Sequence, residues 1–285
     1  MDRFEGVGPV GGEVGLGAVG VGEAERAACA AANRTRQRTA AGDGRSPHDP
    51  LRSCSNRRMA KIESELIRRW LNGWTAARSL PEAESVGSAG DGLRSRCDQP
   101  GREVEVFALR ADEDPASLTR LAAAVAAARQ TTWLTVPTQR PDAVEAVVNA
   151  AGLELLHRSE WLMSADLGGH PQHAPAAPYE REVRTDGPVT AVSLRHPSGE
   201  VAARGTVAVV GADAVADRIE TDPAHRRRGL GRAVMGALAE AAVAQGARTG
   251  LLIASEEGRR LYSSLGWRRE AGVVIARGPA APSGR

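Results

Sequence analysis

The 285-residue sequence predicts an α/β protein, α+β in some classifications, in which mixed sheets are flanked by helices and the arrangement occurs twice in tandem. Three observations lead there. Strand-like apolar runs alternate with helical apolar stripes through residues 59–167 and again through 181–277, the pattern of strands covered by helices. The stretches "TWLTVPT…VEAVVNAAGLELL" and "TGLLIAS…GRRLYSSLGWRRE" line up at Gly152 and Gly266, as a degenerate internal duplication would. Between the halves lies "GGHPQHAPAAPYE", whose prolines and glycines mark a linker over 168–180.

Each element has its own justification. In "AKIESELIRRWLNGWTAARSL", Ile62, Leu66, Trp70 and Trp74 recur every four residues beside Ile67 and Leu71, one apolar helical face. These tryptophans read as core or domain-contact residues. A Gly/Ser-rich loop follows, and then "REVEVFALR" alternates as a strand. Asp114 caps the next helix, with Pro115 at its first position. "TTWLTVPT" is a buried strand, "RPDAVEAVVNAAG" a helix stopped at Gly152, and "LELLHRSEWLMSADL" one or two further strands. In the second half "PVTAVSLRH", "EVAARGTVAVV" and "AVADRIET" read as strands, with a turn at Pro197-Ser198-Gly199. "TGLLIAS" is a strand, "EEGRRLYSSL" a helix ending at Gly266, and "REAGVVIAR" the last strand. Residues 278–285 read as a flexible tail. Residues 1–58 are rich in Gly, Ala and Arg without sustained periodicity, and read as disordered or as a spurious extension upstream of a start at Met59.

Composition narrows the function. Thirty-seven basic and 35 acidic residues give a net charge of +2, so there is no whole-chain field to draw nucleic acid or a membrane surface. Cys29, Cys54 and Cys97 have no metal-ligand spacing and make no disulfide framework. No apolar run reaches about 18 residues, the length needed to span a bilayer. The expectations are a cytoplasmic protein, monomer or homodimer, with no metal and with neither nucleic acid nor membrane as partner.

The chemistry concentrates in "TDPAHRRRGLGRAVMGALAEAAVAQG". A strand ends near Thr221, Asp222-Pro223 breaks it, and Gly229-Leu230-Gly231 opens a helix closed by Gly246. A helix start exposes unpaired N–H groups and the positive end of the dipole. Glycines let an anion approach the backbone, and neighbouring arginines add charge-assisted hydrogen bonds to phosphate. The stretch lacks the Gly-Lys-Ser/Thr of a Walker loop and the third glycine of the dinucleotide fingerprint. A nucleic-acid patch and a solvated basic turn are the alternatives. His225 reads as a surface residue, with phosphate contact as its other reading.

Two motifs then coincide. Arg226-Arg227-Arg228-Gly229-Leu230-Gly231 after Pro223 resembles the coenzyme-binding motif of the GNAT superfamily, the acetyl-CoA-dependent N-acetyltransferases. Leu261-Tyr262-Ser263-Ser264-Leu265-Gly266-Trp267 resembles that family's late helix. The resemblance covers about residues 181–277 and is only architectural for the N-terminal half. It implies the acyl-CoA N-acyltransferase fold, acetyl-CoA as cosubstrate, and direct acetyl transfer to a primary amine on a small-molecule or peptide acceptor. The implied coenzyme site comprises Ile219, Glu220, Thr221, Arg226, Arg227, Arg228, Gly229, Leu230, Gly231, Arg232, Ser255 and Tyr262. Tyr262 would be the general acid, its alternative being a packed core tyrosine. Glu220, ahead of Asp217, is the candidate base, its alternative being a salt-bridged carboxylate. The polar strand "ADRIETDP" departs from the family pattern and leaves base and acceptor open. Val148 stands where Tyr262 would align in the first half, which also lacks Arg-x-x-Gly-x-Gly and should be inactive. A non-catalytic acyl-CoA-binding or regulatory protein is the rival reading.

Overall fold

In a computed structural model, residues 62–87 and 90–279 are described. The expectations for residues 1–58 and a start at Met59 fall outside them, as does most of the expected tail. The first helix, α1 (Ser64–Ala77), buries Ile67, Trp70, Leu71 and Trp74 as its apolar stripe requires. Two strands that sequence periodicity had not marked follow, β1 (Glu84–Val86) and β2 (Gly92–Gln99), before β3 (Arg102–Ala108). Next come α2 (Pro115–Ala126), β4 (Thr132–Thr138), α3 (Pro141–Ala150) and β5 (Glu154–Asp166). As expected, the Asp114 side chain caps α2 by accepting from the Ala116 N–H at 3.1 Å.

The second half runs β6 (Glu180–Asp186), β7 (Val189–Arg195), β8 (Val201–Val210), β9 (Asp213–Thr221), α4 (Leu230–Ala244), β10 (Thr249–Ala254), α5 (Glu256–Ser264) and β11 (Arg268–Arg277). Among the described residues no helix is long and apolar enough to cross a membrane.

All eleven strands belong to one sheet, in the order β1-β2-β3-β4-β11-β5-β10-β9-β8-β7-β6. The two halves therefore share a sheet and exchange their last strands. β11 lies between β4 and β5, and β5 lies between β11 and β10. The duplication is legible in the topology: β3-α2-β4-α3-β5 repeats as β9-α4-β10-α5-β11, with parallel pairs β3–β4 and β9–β10 at corresponding places. It is legible in the caps too. Leu153 N–H donates to Val148 O as Trp267 N–H donates to Tyr262 O, both at 3.1 Å, and Gly152 and Gly266 are both left-handed.

One face of the sheet carries α2 and α3 over the first half and α4 and α5 over the second; α1 lies on the opposite face, against β8 and β9. Trp70, Trp74 and Phe107 form an aromatic cluster there, with ring centroids 5.4–5.8 Å apart. Cys97 is buried in the same core, and burial pushes its thiol up to about 11. The Pro-rich segment is packed rather than loose. Its backbone crosses α4 so closely that a Cβ on Gly236 would stand 3.0 Å from His173 N, and Trp267 Nε1 donates to buried His170 Nε2 at 3.1 Å.

Candidate active site

The site follows from how β9 and β10 part. They pair only across Asp213–Val215 and Thr249–Leu251; β9 then runs six residues further and β10 three. Beyond the last pair, β9 carries a bulge. Arg218 has φ +53°, and the β8–β9 register slips between the pairs Arg204–Glu220 and Thr206–Asp217. Backbone groups of β9 beyond the bulge thus lose a ladder partner on the β10 side and line an opening.

The basic loop closes the end of this opening. Asp222 caps a short 3-10 turn, Pro223–His225, by accepting from Ala224 N–H at 2.8 Å. Arg227 (φ +63°) and Gly229 (φ +77°) are left-handed, which curls the loop into the first turn of α4. Among the described residues, the N–H groups of Arg227, Arg228 and Gly229 meet no backbone acceptor. Such a curl followed by a helix start is an anion-binding concavity. The two glycines serve different ends. Around Gly229 nothing lies within 4 Å of a Cβ position, so glycine is needed there for its dihedral angles. On Gly231 a Cβ would fall 2.9 Å from Leu261 Cδ2, so that glycine lets α4 approach α5.

The arginines divide as well. Arg226 Nε donates to Thr221 O at 3.5 Å, and its Nη1 lies 3.9 Å from Glu257 of α5, across the opening. Arg228 is exposed and donates to Tyr179 Oη at 2.8 Å. Arg232 Nη2 donates to Ser264 Oγ at 3.3 Å. Arg227 is exposed. His225 is a correction: it is buried rather than on the surface, with Nδ1 2.9 Å from Tyr179 Oη.

Ile219 and Thr221 sit on the α4 side, Ile219 Cδ1 beside Gly205 and Thr221 Oγ1 beside Gly231. Leu230 is buried under the loop. Glu220 faces the other way, as strand alternation requires. Its Oε2 accepts from Arg204 Nε and Nη2 at 3.0 and 2.7 Å, so the salt-bridged arrangement is the one observed. Asp217, the second candidate base, has both oxygens bound by Arg78 at the end of α1, at 2.7 and 3.0 Å. Sequence gave no sign of this clamp, or of the second arginine of α1, Arg69, which binds Asp213 on the same strand. Ser255 caps α5, its Oγ accepting from Gly258 N–H at 3.2 Å.

Tyr262 is buried, and Gly258 leaves room for its ring. Among the described residues its hydroxyl makes no hydrogen bond. Burial, with the Asp217 charge as the smaller cause, holds the phenol well above its ordinary range, so it stays protonated. In the first half, buried Val148 occupies the equivalent position. Its loop is acidic there: Asp112 fills the end of the strand pair, accepting from Thr138 Oγ1 at 2.6 Å and Gln139 N–H at 2.9 Å. Arg140 Nε lies 3.7 Å from that carboxylate, so the cation beside it is already paired.

Comparison with known proteins agrees with this geometry. Residues 190–269 match the family model described as an acetyltransferase (GNAT) domain, so the second half carries a domain of that family. Among solved structures, a GCN5-related N-acetyltransferase from Kribbella flavida superposes with a TM-score of 0.56 at 18% identity, covering 77% of this chain and 96% of that one. A Drosophila protein gives 0.51 at 12% identity, covering 74% and 87%. A tandem GNAT protein from the clavulanic acid biosynthesis pathway gives 0.47 at 14%, covering 79% and 99%. A comparison with curated proteins gave no significant match. The fold is thus the mixed, helix-flanked sheet of the acyl-CoA N-acyltransferases, and residues 190–269 of it match the GNAT acetyltransferase domain.

Proposed function

We propose that the protein transfers an acetyl group from acetyl-CoA directly to a primary amine, using the second half alone, in the cytoplasm. The observation that carries this reading is the parting of β9 and β10 beside a loop of unpaired N–H groups. The loop and the start of α4 would take the pyrophosphate, from Arg226 to Arg232. The free backbone edge of β9, at Ile219–Thr221, would take the pantetheine arm and polarise the thioester carbonyl. The amine nitrogen attacks that carbonyl carbon, the C–S bond breaks, and coenzyme A leaves as the thiol.

Tyr262 points the chemistry at the departing sulfur. Its phenol is more strongly held than a free one, so it keeps its proton and donates a hydrogen bond to the developing thiolate, which takes its proton from water as product leaves. Glu220 is the base of this reading. Arg204 engages only Oε2, which leaves Oε1 to accept the amine proton through water. The acceptor class is a small-molecule or peptide amine.

The test is thiol release from acetyl-CoA over a panel of amines, with wild type and Tyr262→Phe. Release with at least one amine is expected, with turnover lowered in the variant far more than acetyl-CoA affinity. Binding without release over a broad panel would favour the rival reading, a non-catalytic acyl-CoA-binding protein.

A further inference from the structure

Behind the basic loop lies a buried polar chain that the proposed chemistry does not use. Tyr179, at the end of the Pro-rich segment, is buried. Its hydroxyl oxygen stands 2.8 Å from Arg228 Nη1 and 2.9 Å from His225 Nδ1. His225 is buried as well, and its Nε2 lies 3.6 Å from Glu200 in the β7–β8 turn. His196, from the same turn, places its ring 5.6 Å from Tyr179 and 5.2 Å from His225.

One of these directions is fixed by chemistry. A guanidinium only donates, so Tyr179 Oη accepts from Arg228. Nδ1 of His225 is the acceptor within reach of the tyrosine proton, in the tautomer that leaves Nδ1 bare. With the tyrosine proton directed at Nδ1, the ring's own proton sits on Nε2, which faces Glu200 at 3.6 Å. Arg228 Nη2 also donates to Ala224 O at 3.4 Å. The guanidinium is thus fixed from within, and it is the residue immediately before left-handed Gly229.

The geometry points to Tyr179 and His225 as positioning residues: His225 orients the Tyr179 hydroxyl, which holds Arg228 and so sets the coenzyme-binding loop. This rests on the proposed role of that loop. Protonation of His225 puts a donor where an acceptor is needed and sets a cation against Arg228. The charged or titratable groups facing the imidazole are Tyr179, His196, Glu200 and Arg228. Glu200 is the only one of these that favours the cation, and it is mostly exposed. Protonation of His225 should therefore loosen the loop.

The test is calorimetric titration of the full chain with coenzyme A at about pH 8 and about pH 5.5, in wild type, Tyr179→Phe and His225→Asn. Phenylalanine removes one oxygen. Asparagine keeps an acceptor near the place of Nδ1 and does not titrate. Tyr179→Phe should bind about tenfold more weakly than wild type at the higher pH. His225→Asn should lose less affinity than wild type between the two pH values, whatever its affinity at the higher one, and a loss equal to that of wild type would overturn the role of His225. The ligand's own titration is common to all three proteins, so the difference between profiles isolates His225. Tyr179→Phe with wild-type affinity and a wild-type profile would overturn the relay while leaving the loop as the coenzyme site. A wild type that binds no coenzyme at either pH overturns the loop reading, and the relay with it.

Discussion

Gly229→Asp separates the backbone role of the loop from its electrostatic role. Gly229 has φ +77°, and nothing lies within 4 Å of a Cβ built there. A side chain therefore meets no steric obstacle and carries only the cost of the left-handed conformation, about 1–2 kcal/mol for an ordinary L-residue and less for aspartate. The fold should persist, with a melting temperature lower by a few degrees. The new carboxylate would stand at the start of α4, where the proposed pyrophosphate sits. Two like charges about 4 Å apart repel by about 1 kcal/mol in bulk water and by about 4 kcal/mol at the effective dielectric near a protein surface. At tenfold per 1.4 kcal/mol, affinity for coenzyme A should fall between about fivefold and about a thousandfold. Gly229→Ala brings the strain without the charge and should keep most of the affinity. Calorimetric titration of the three proteins, with thermal melts beside it, gives both quantities. A folded Gly229→Asp that binds as tightly as wild type would refute the phosphate assignment.

Two further predictions concern stability. Trp74 is 4% exposed, packs on Trp70 and Phe107, and lies under the Arg78 guanidinium at 4.8 Å. Trp74→Ala should cost about 3–5 kcal/mol in denaturant unfolding, and a loss below about 1 kcal/mol would contradict the placement of α1. Glu160 sits on β5, where burial holds its carboxyl above the usual range, partly offset by His157 and Arg102. A raised carboxyl pKa gives stability that is present below the unfolded value and lost as pH rises through the folded one. Glu160→Gln should therefore melt above wild type at neutral pH, with the gain shrinking near about pH 4, around the carboxylate's reference value. Equal melting temperatures at both pH values would contradict this.

Much of the architecture was legible in the sequence because helix stripes and glycine stops are local signals. α1, the Asp114 cap, and the paired stops at Gly152 and Gly266 all stand where periodicity put them. Strands with polar inner faces were not legible. On β2 the buried positions include Ser95 between Leu93 and Cys97, which blurs the alternation. β6, "EREVRTD", is a charged edge strand with no apolar face to announce it. The exchange of β5 and β11 joins residues about a hundred positions apart and leaves no local trace, so one thirteen-residue strand looked like one or two.

At the site, the loop, Gly229 and Tyr262 could be found from their motifs. The partners that define them could not: the Arg218 bulge, the Arg78–Asp217 clamp and the Arg204–Glu220 pair are cross-element contacts. His225 looked exposed among four arginines, and only the fold brings buried Tyr179 against it.

The most direct test of the central claim is the number of coenzyme sites per chain. The second half has the parted strands, the left-handed loop and Tyr262; the first has Asp112 and Val148 in the corresponding places. Calorimetric titration of the full-length protein with coenzyme A should therefore give a stoichiometry of one, abolished or strongly weakened by Gly229→Asp. Two equivalent sites, or one that survives that substitution unchanged, would contradict the assignment.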